Sequence, residues 1–275
     1  MPAAGSLSRA DLTEESQAAL EELLFRLADD EFVHAERATE WQIYAPTLES
    51  DLALANIAQD EFGHARLWYD LLQELGYSEA ECIWERPPEE WRHATLVERP
   101  FPDGGWGNAV LRGYLYDVAE RIRLEATLET SYAPLADRVG KALNEEEYHR
   151  EHAYNWLERL AADETGRERL QRAVDELFPH ALSLFAPAER ETAIRRYGFR
   201  RESTAEMRRE WLETVVPTLE SFGLDVPEPA DGFPEPQGRD GSHTDAWEEL
   251  YADFTATYRE LDPDEPVTLR SEEVS

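Results

Sequence analysis

Apolar residues recur at alternating three- and four-residue steps along four stretches of the chain, the spacing that puts them on one face of an α-helix. The first stretch runs over about residues 15–43, with Leu20, Leu24, Leu27, Glu31, Ala35 and Ala38 in register. Pro46 ends it, because a proline disfavours helical geometry at the residue before it. The second covers residues 48–75, with Leu54, Ile57, Glu61, His64, Trp68 and Leu72 on one face and Gly76 as the stop. The third covers residues 108–131 through Val110, Tyr114, Asp117 and Leu124, and Pro134 interrupts it. The fourth, residues 135–161, has the most regular stripe: Leu135, Val139, Ala142, Glu146, His149, Ala153, Trp156 and Leu160.

The pattern therefore predicts two helical hairpins. Residues 77–107 between them hold three tryptophans, four prolines and no helical stripe, which predicts a long connection with a short helix near Glu89. Further helical patterns lie at residues 167–185 and 204–222. The Pro-, Gly- and Asp-rich residues 226–241 read as a linker, and residues 244–261 as one more amphipathic helix. The expected organisation is all-α: a bundle with peripheral helices over residues 1–225, a linker over 226–241, a C-terminal helix over 242–261 and a disordered tail over 262–275.

Composition narrows the setting. The chain has 275 residues, with 60 acidic against 27 basic side chains and a net charge of −33. Such a surface repels phosphate backbones, which argues against a nucleic-acid partner. Disorder is the other reading of high charge, but 41% hydrophobic residues at helical spacing point to a folded protein. A high-salt cytoplasm, where ions screen the self-repulsion, is the expectation. Cys82 is the only cysteine, so neither a disulfide framework nor a thiolate zinc site forms within one chain. No apolar run reaches the roughly 18 residues of a membrane span, and the polar N-terminus lacks a signal pattern.

The chemistry lies in polar residues on the apolar stripes. Glu31, Glu61, His64, Asp117, Glu146 and His149 occupy positions where the period calls for apolar side chains. Converging buried carboxylates need compensating positive charge, and no lysine occurs in these stripes. Two metal ions would supply it. In Glu-x-x-His both side chains leave one helix face, so the carboxylate can bridge two metals while the imidazole binds one. Two such helices, each paired with a helix giving one carboxylate, form the ferritin-like di-metal set. Glu61-Phe62-Gly63-His64 begins 30 residues after Glu31, and Glu146-Glu147-Tyr148-His149 begins 29 after Asp117. Carboxylates with two imidazoles suit two irons, or manganese. Glu120, one turn from Asp117, is the alternative ligand on the third helix. Asp60 and Glu145, each one turn before a motif histidine, are candidates to orient the imidazoles. Glu31-Phe32-Val33-His34 and Glu90-Trp91-Arg92-His93 also match the string. His34 is assigned to support or packing, and the second match to chance. Tyr69, Tyr114 and Tyr148 are assigned to packing.

Longer strings carry a family resemblance. Residues 52–66, LALANIAQDEFGHAR, with Glu40-Trp41 and residues 45–49 before them, resemble the second-helix region of phenylacetyl-CoA epoxidase subunits. Residues 131–134, 145–149 and 156–160 resemble the second hairpin of that family, and Gly241-Ser242-His243-Thr244 a short C-terminal motif. The resemblance implies a di-iron, dioxygen-using system that epoxidises the ring of phenylacetyl-CoA. It is built from a catalytic subunit and a homologous structural one that in some members lacks the metal ligands. By length and by its first two helices the chain is more similar to the structural type. Yet Glu31, Glu61, His64, Asp117, Glu146 and His149 all match metal positions of the catalytic type. The expected role is to scaffold a catalytic partner while keeping a di-iron-competent site; the alternative is a stand-alone di-iron oxidase or oxygenase with another substrate. Trp41, Trp84, Trp91 and Trp106, at helix ends or in the connection, are expected at an interface, giving a homodimer alone and a hetero-oligomer with the catalytic subunit. Folding of the connection back over the bundle is the competing use of these rings.

Overall fold

A computed structural model describes residues 3–101 and 105–261. The described residues form nine α-helices with short 3-10 and π turns and no strand. Helices α1 (Glu14–Trp41) and α2 (Leu48–Leu75) make the first hairpin. After the four-residue helix α3 (Thr95–Glu98), α4 (Trp106–Glu125) and α5 (Ala133–Ala161) make the second. Outer helices follow: α6 (Glu164–Ala181), α7 (Glu191–Arg196), α8 (Thr204–Ser221) and α9 (Asp245–Glu260).

The helix starts have local causes. The Thr13 hydroxyl accepts from Ser16 N–H at the start of α1, and the Thr47 hydroxyl accepts from Ser50 N–H at the start of α2. Pro134 sits in the first turn of α5, where a missing N–H costs nothing. The third helix ends at Glu125, short of the expected residue 131, because residues 127–132 turn to meet other parts of the chain. Gly5 N–H and Leu7 N–H donate to the carbonyls of Thr130 and Ser131, and Ser131 N–H donates to Gly198. Helix α7 was not expected; at six residues it is too short to show a period.

The two hairpins face each other across a core that includes Leu20, Leu24, Leu27, Trp68, Leu72, Leu115, Leu135 and Val139, all nearly or fully buried. Helices α6 and α8 cover the outer side of α4, and Trp211 Nε1–H of α8 donates to the Leu115 carbonyl at 3.0 Å. This cover lets an entire α4 face behind the centre be buried, so polar side chains there are cut off from water.

The connection folds back over the bundle, the competing use of the tryptophans, and it buries Trp41 and Trp91 while Trp84 and Trp106 stay partly exposed. Trp91 is fully buried, with ring centroids 5.1 Å from Trp247, 5.6 Å from Phe254 and 5.7 Å from Phe32. Trp41 packs on Phe101 at 4.6 Å, Trp84 stacks on Tyr258 at 5.8 Å and Trp106 meets Trp156 edge-on at 5.3 Å. Residues 226–241 carry no helix, as expected, but they are no mere spacer. Gly238 and Gly241 adopt φ of +80° and +85°, and a Cβ on either would lie 2.1 Å from the His93 carbonyl oxygen or 2.2 Å from that of Glu89. Only glycine permits backbone so close to the connection. The expected tail, residues 262–275, lies outside the described residues.

Candidate metal centre

All six candidate residues come together in the bundle interior, each between 0 and 2% exposed. Ligand-capable atoms of Glu31, Glu61 and His64 lie within 4.8 Å of one another, as do those of Glu61, Glu146 and His149. A third such group joins Asp117 to Glu61 and His34. Glu61 is common to all three. Its two oxygens face different imidazoles: Oε1 is 3.3 Å from His149 Nδ1 and Oε2 is 3.9 Å from His64 Nδ1. Glu146 Oε1 is 3.5 Å from both Nδ1 atoms. Glu31 Oε2 lies 3.9 Å from His64 Nδ1, on that side alone.

The opposite edges of the two imidazoles are engaged. His64 Nε2 lies 2.7 Å from Glu145 Oε2, and His149 Nε2 lies 3.3 Å from Asp60 Oδ2. The orienting carboxylates are thus the expected residues, but the pairing crosses the bundle: α5 steers the histidine of α2, and α2 steers that of α5. A carboxylate at Nε2 keeps the proton there and leaves Nδ1 with its lone pair turned inward.

Those inward atoms have no hydrogen-bond partner. Both oxygens of Glu31, Glu61 and Glu146 are buried and unpartnered, as are Asp117 Oδ1, Glu120 Oε1 and the Nδ1 atoms of His64 and His149. Buried polar atoms in folded proteins are almost always satisfied, so this concentration needs an explanation. Without a cation, protons must take up the charge. Burial, reinforced by Glu120 and Glu61, pushes the Glu31 carboxyl well above the ordinary range. Burial and Glu146 do the same to Asp117. Burial and Glu61 raise Glu146 to about 7. His149 is pushed up to about 12 by Glu146 and Glu61 although its burial works the other way. Four carboxylates and two imidazoles, hard oxygen with nitrogen and no sulfur, fit a pair of divalent iron or manganese ions.

On α4 the two candidates differ. Asp117 joins the group with Glu61, whereas Glu120 Oε2 is held by the Arg123 guanidinium in a buried ion pair. The His34 ring packs tilted against Tyr116 at 4.4 Å and leaves Nδ1 unpartnered beside Glu61 and Asp117. Tyr69 and Tyr114 are buried, and the Tyr69 hydroxyl donates to Asp29 at 2.8 Å. Tyr148 departs from the packing expectation: it is 48% exposed, on the outer face of α5.

A second buried cluster was missed in the sequence. His93 Nε2 and His243 Nδ1 both meet Glu98 Oε2, at 2.6 and 2.7 Å, and Thr244 N–H donates to Glu98 Oε1 at 2.6 Å. The carboxylate is fully subscribed at hydrogen-bond distances, so this is a latch holding the start of α9 rather than a cation site. Glu90 of the chance motif takes no part; the His243-Thr244 pair of the C-terminal motif was the only signal.

A four-helix bundle with converging interior carboxylates and imidazoles is the ferritin-like class. The family described as "Phenylacetic acid catabolic protein" matches residues 7–264, and the chain belongs to it. The chain is 28% identical over 239 residues to the C component of the 1,2-phenylacetyl-CoA epoxidase of Escherichia coli (strain K12), covering 86% of this chain and 94% of the relative. It is 26% identical over 194 residues to the A component of the same enzyme, covering 69% of this chain and 62% of the relative. Among solved structures, a Synechococcus protein named for aldehyde deformylating oxidase activity superposes with a TM-score of 0.56 at 18% identity, over 78% of this chain and 95% of that one. That likeness concerns the fold alone.

Proposed function

We propose that the chain is a subunit of a multicomponent di-iron oxygenase that epoxidises the ring of phenylacetyl-CoA, scaffolding a homologous catalytic subunit while keeping a metal-competent centre of its own. The observation that carries the metal reading is the set of buried, unpartnered carboxylate oxygens and imidazole nitrogens between α1, α2, α4 and α5. The substrate and the partnership rest on the two epoxidase components to which the chain is similar.

Each residue has a role that its position supports. Glu61, with one oxygen toward each imidazole, and Glu146, with one oxygen equidistant from both, would be the carboxylates common to both ions. His64 and His149 would bind through Nδ1, while Glu145 and Asp60 hold their Nε2 edges and ring planes. Glu31 would serve the His64 side and Asp117 would complete the set from α4. Four carboxylate charges would balance two divalent cations, and the centre's protons would be released on loading. When bound, such a pair supplies dioxygen-reducing chemistry. The apolar walls of the bundle exclude bulk water from the site.

An exposed apolar group supports the partnership. Ile43, Tyr44, Leu48 and Leu52, at the corner between α1 and α2, are 82, 65, 67 and 56% exposed. They offer apolar surface that a homologous subunit would cover. No described helix is long and apolar enough to cross a membrane. Co-purification with the catalytic subunit, followed by epoxidation assays with and without Glu61→Ala/Glu146→Ala in this chain, tests the role. Full activity of the complex with the double variant leaves scaffolding; lost activity makes the centre catalytic; no complex at all refutes the partnership.

A further inference from the structure

The segment before α9 sends one side chain into the bundle. Arg239 is buried, and all five of its N–H donors find acceptors. Nε donates to Ser183 O at 3.3 Å, Nη1 to Arg92 O at 2.7 Å and Arg26 O at 3.3 Å, and Nη2 to Asp30 Oδ2 at 2.6 Å and Leu184 O at 3.2 Å. Asp30 directly precedes Glu31. Its Oδ2 is shared with Arg123, and Arg123 in turn holds Glu120 Oε2. Asp30 Oδ1 accepts from Ala94 N–H at 2.7 Å. A continuous chain of buried charges, Arg239–Asp30–Arg123–Glu120, therefore runs from the C-terminal arm to the α4 carboxylate nearest Asp117.

We propose that Arg239 is a positioning residue for the metal centre: through Asp30 and Arg123 it pins Glu120 in an ion pair and so leaves Asp117 as the α4 carboxylate that faces the metals. The inference rests on the metal reading above. Its physical basis is charge and reach. Glu120 is one turn from Asp117 and fully buried, with Oε1 unpartnered, so only Arg123 restrains it from turning toward the cations. Arg123 is itself aimed by Asp30, and Asp30 is shared between two guanidiniums. Removing Arg239 lets Asp30 and Arg123 collapse into a one-to-one pair, which frees Glu120. The arm is clamped by Gly238 against the His93 backbone and by the Glu98 latch, so docking of α9 and composition of the centre are mechanically joined.

The test compares wild type, Arg239→Ala, Arg239→Lys and Asp30→Asn by anaerobic ferrous titration, with circular dichroism of the ferrous centre and far-ultraviolet helix content. Removing a group that orients ligands typically weakens metal binding by about 10- to 100-fold. Arg239→Ala and Asp30→Asn should show that loss together with an altered ferrous spectrum at unchanged helix content. Arg239→Lys, which keeps the charge but not the fork, should recover part of the affinity. Asp30→Asn keeps the shape and the acceptor for Ala94 N–H, so it carries the test if Arg239→Ala does not fold. Variants that fold, bind iron within twofold of wild type and keep its spectrum overturn the inference and leave the metal reading standing. A wild type that binds no iron overturns the metal reading, and this inference with it.

Discussion

At the bundle centre and at the foot of α9, buried carboxylates meet buried imidazoles, and the two clusters finish their hydrogen bonding in opposite ways. In the latch, one carboxylate meets two imidazoles and a backbone N–H, and both its oxygens are satisfied. In the centre, four carboxylates meet two imidazoles whose donor edges are already taken by Glu145 and Asp60. The surplus acid there is left without a well-formed hydrogen bond. The ratio of acid to base, and the direction in which each imidazole is turned, separate a structural staple from a cation site; burial and residue type do not.

The largest break in that comparison comes from the latch. Glu98→Ala leaves two buried imidazoles and Thr244 N–H without their acceptor, and losing one side of a buried pair costs about 3–5 kcal/mol. Chemical denaturation should show a loss of that order, concentrated in hydrogen exchange of α9, while two metal ions still bind. Next in size is Glu145→Gln. It keeps the shape at His64 Nε2 but removes the charge, and titration should give metal affinity about 10- to 100-fold weaker with the fold intact.

Acid should move the two clusters in opposite directions. Burial, with the charge of His243, holds the His93 imidazole down at about 4, below the ordinary 6.5. Glu98, although burial raises it, is held below the ordinary 4.5 by the His243 and His93 hydrogen bonds. Here the folded state binds fewer protons than the unfolded one, so latch stability is present above pH 6.5 and is lost as pH falls toward about 4. At the centre, burial and Glu61 raise Glu146 from 4.5 to about 7, so the metal-free fold binds more protons there than the unfolded chain. That contribution is present below 4.5 and is lost as pH rises through about 7. Hydrogen exchange on metal-free protein between pH 7 and pH 5, corrected for intrinsic rates, should show α9 loosening while the α2 and α5 amides around Glu61 and Glu146 tighten. Loosening of both together contradicts the contrast.

The smallest effect belongs to the surface. A net charge of −33 repels itself, so raising KCl should shift the unfolding midpoint upward by roughly 2–4 °C, the shift of about 1 kcal/mol in a domain of this size. Metal stoichiometry should not respond, because the centre is buried.

What the chain discloses in one dimension follows from periodicity. The helical stripes marked α1, α2, α4 and α5, and polar residues interrupting those stripes marked the inward positions of Glu31, Glu61, His64, Asp117, Glu146 and His149. Relations between helices were not legible. Asp60 and Glu145 sit one turn before His64 and His149 on their own helices, and nothing along the chain says that each crosses to the other's imidazole. Irregular segments hide most, because they have no period. His93 and His243 stand 150 residues apart, so their meeting at Glu98 depends on the arm's path. Arg239 lies in a Pro- and Gly-rich segment whose composition speaks of chain direction and not of burial. The burial of Trp91 was hidden for a similar reason: its partners Phe32, Trp247 and Phe254 arrive from α1 and α9.

Iron stoichiometry of the wild type beside Glu61→Ala/Glu146→Ala decides whether the buried carboxylates and imidazoles hold metal. After anaerobic ferrous loading and desalting, the wild type should retain close to two irons per chain and the double variant none, with both proteins equally helical. A wild type that retains no iron, or a folded double variant that retains two, contradicts metal binding by these residues.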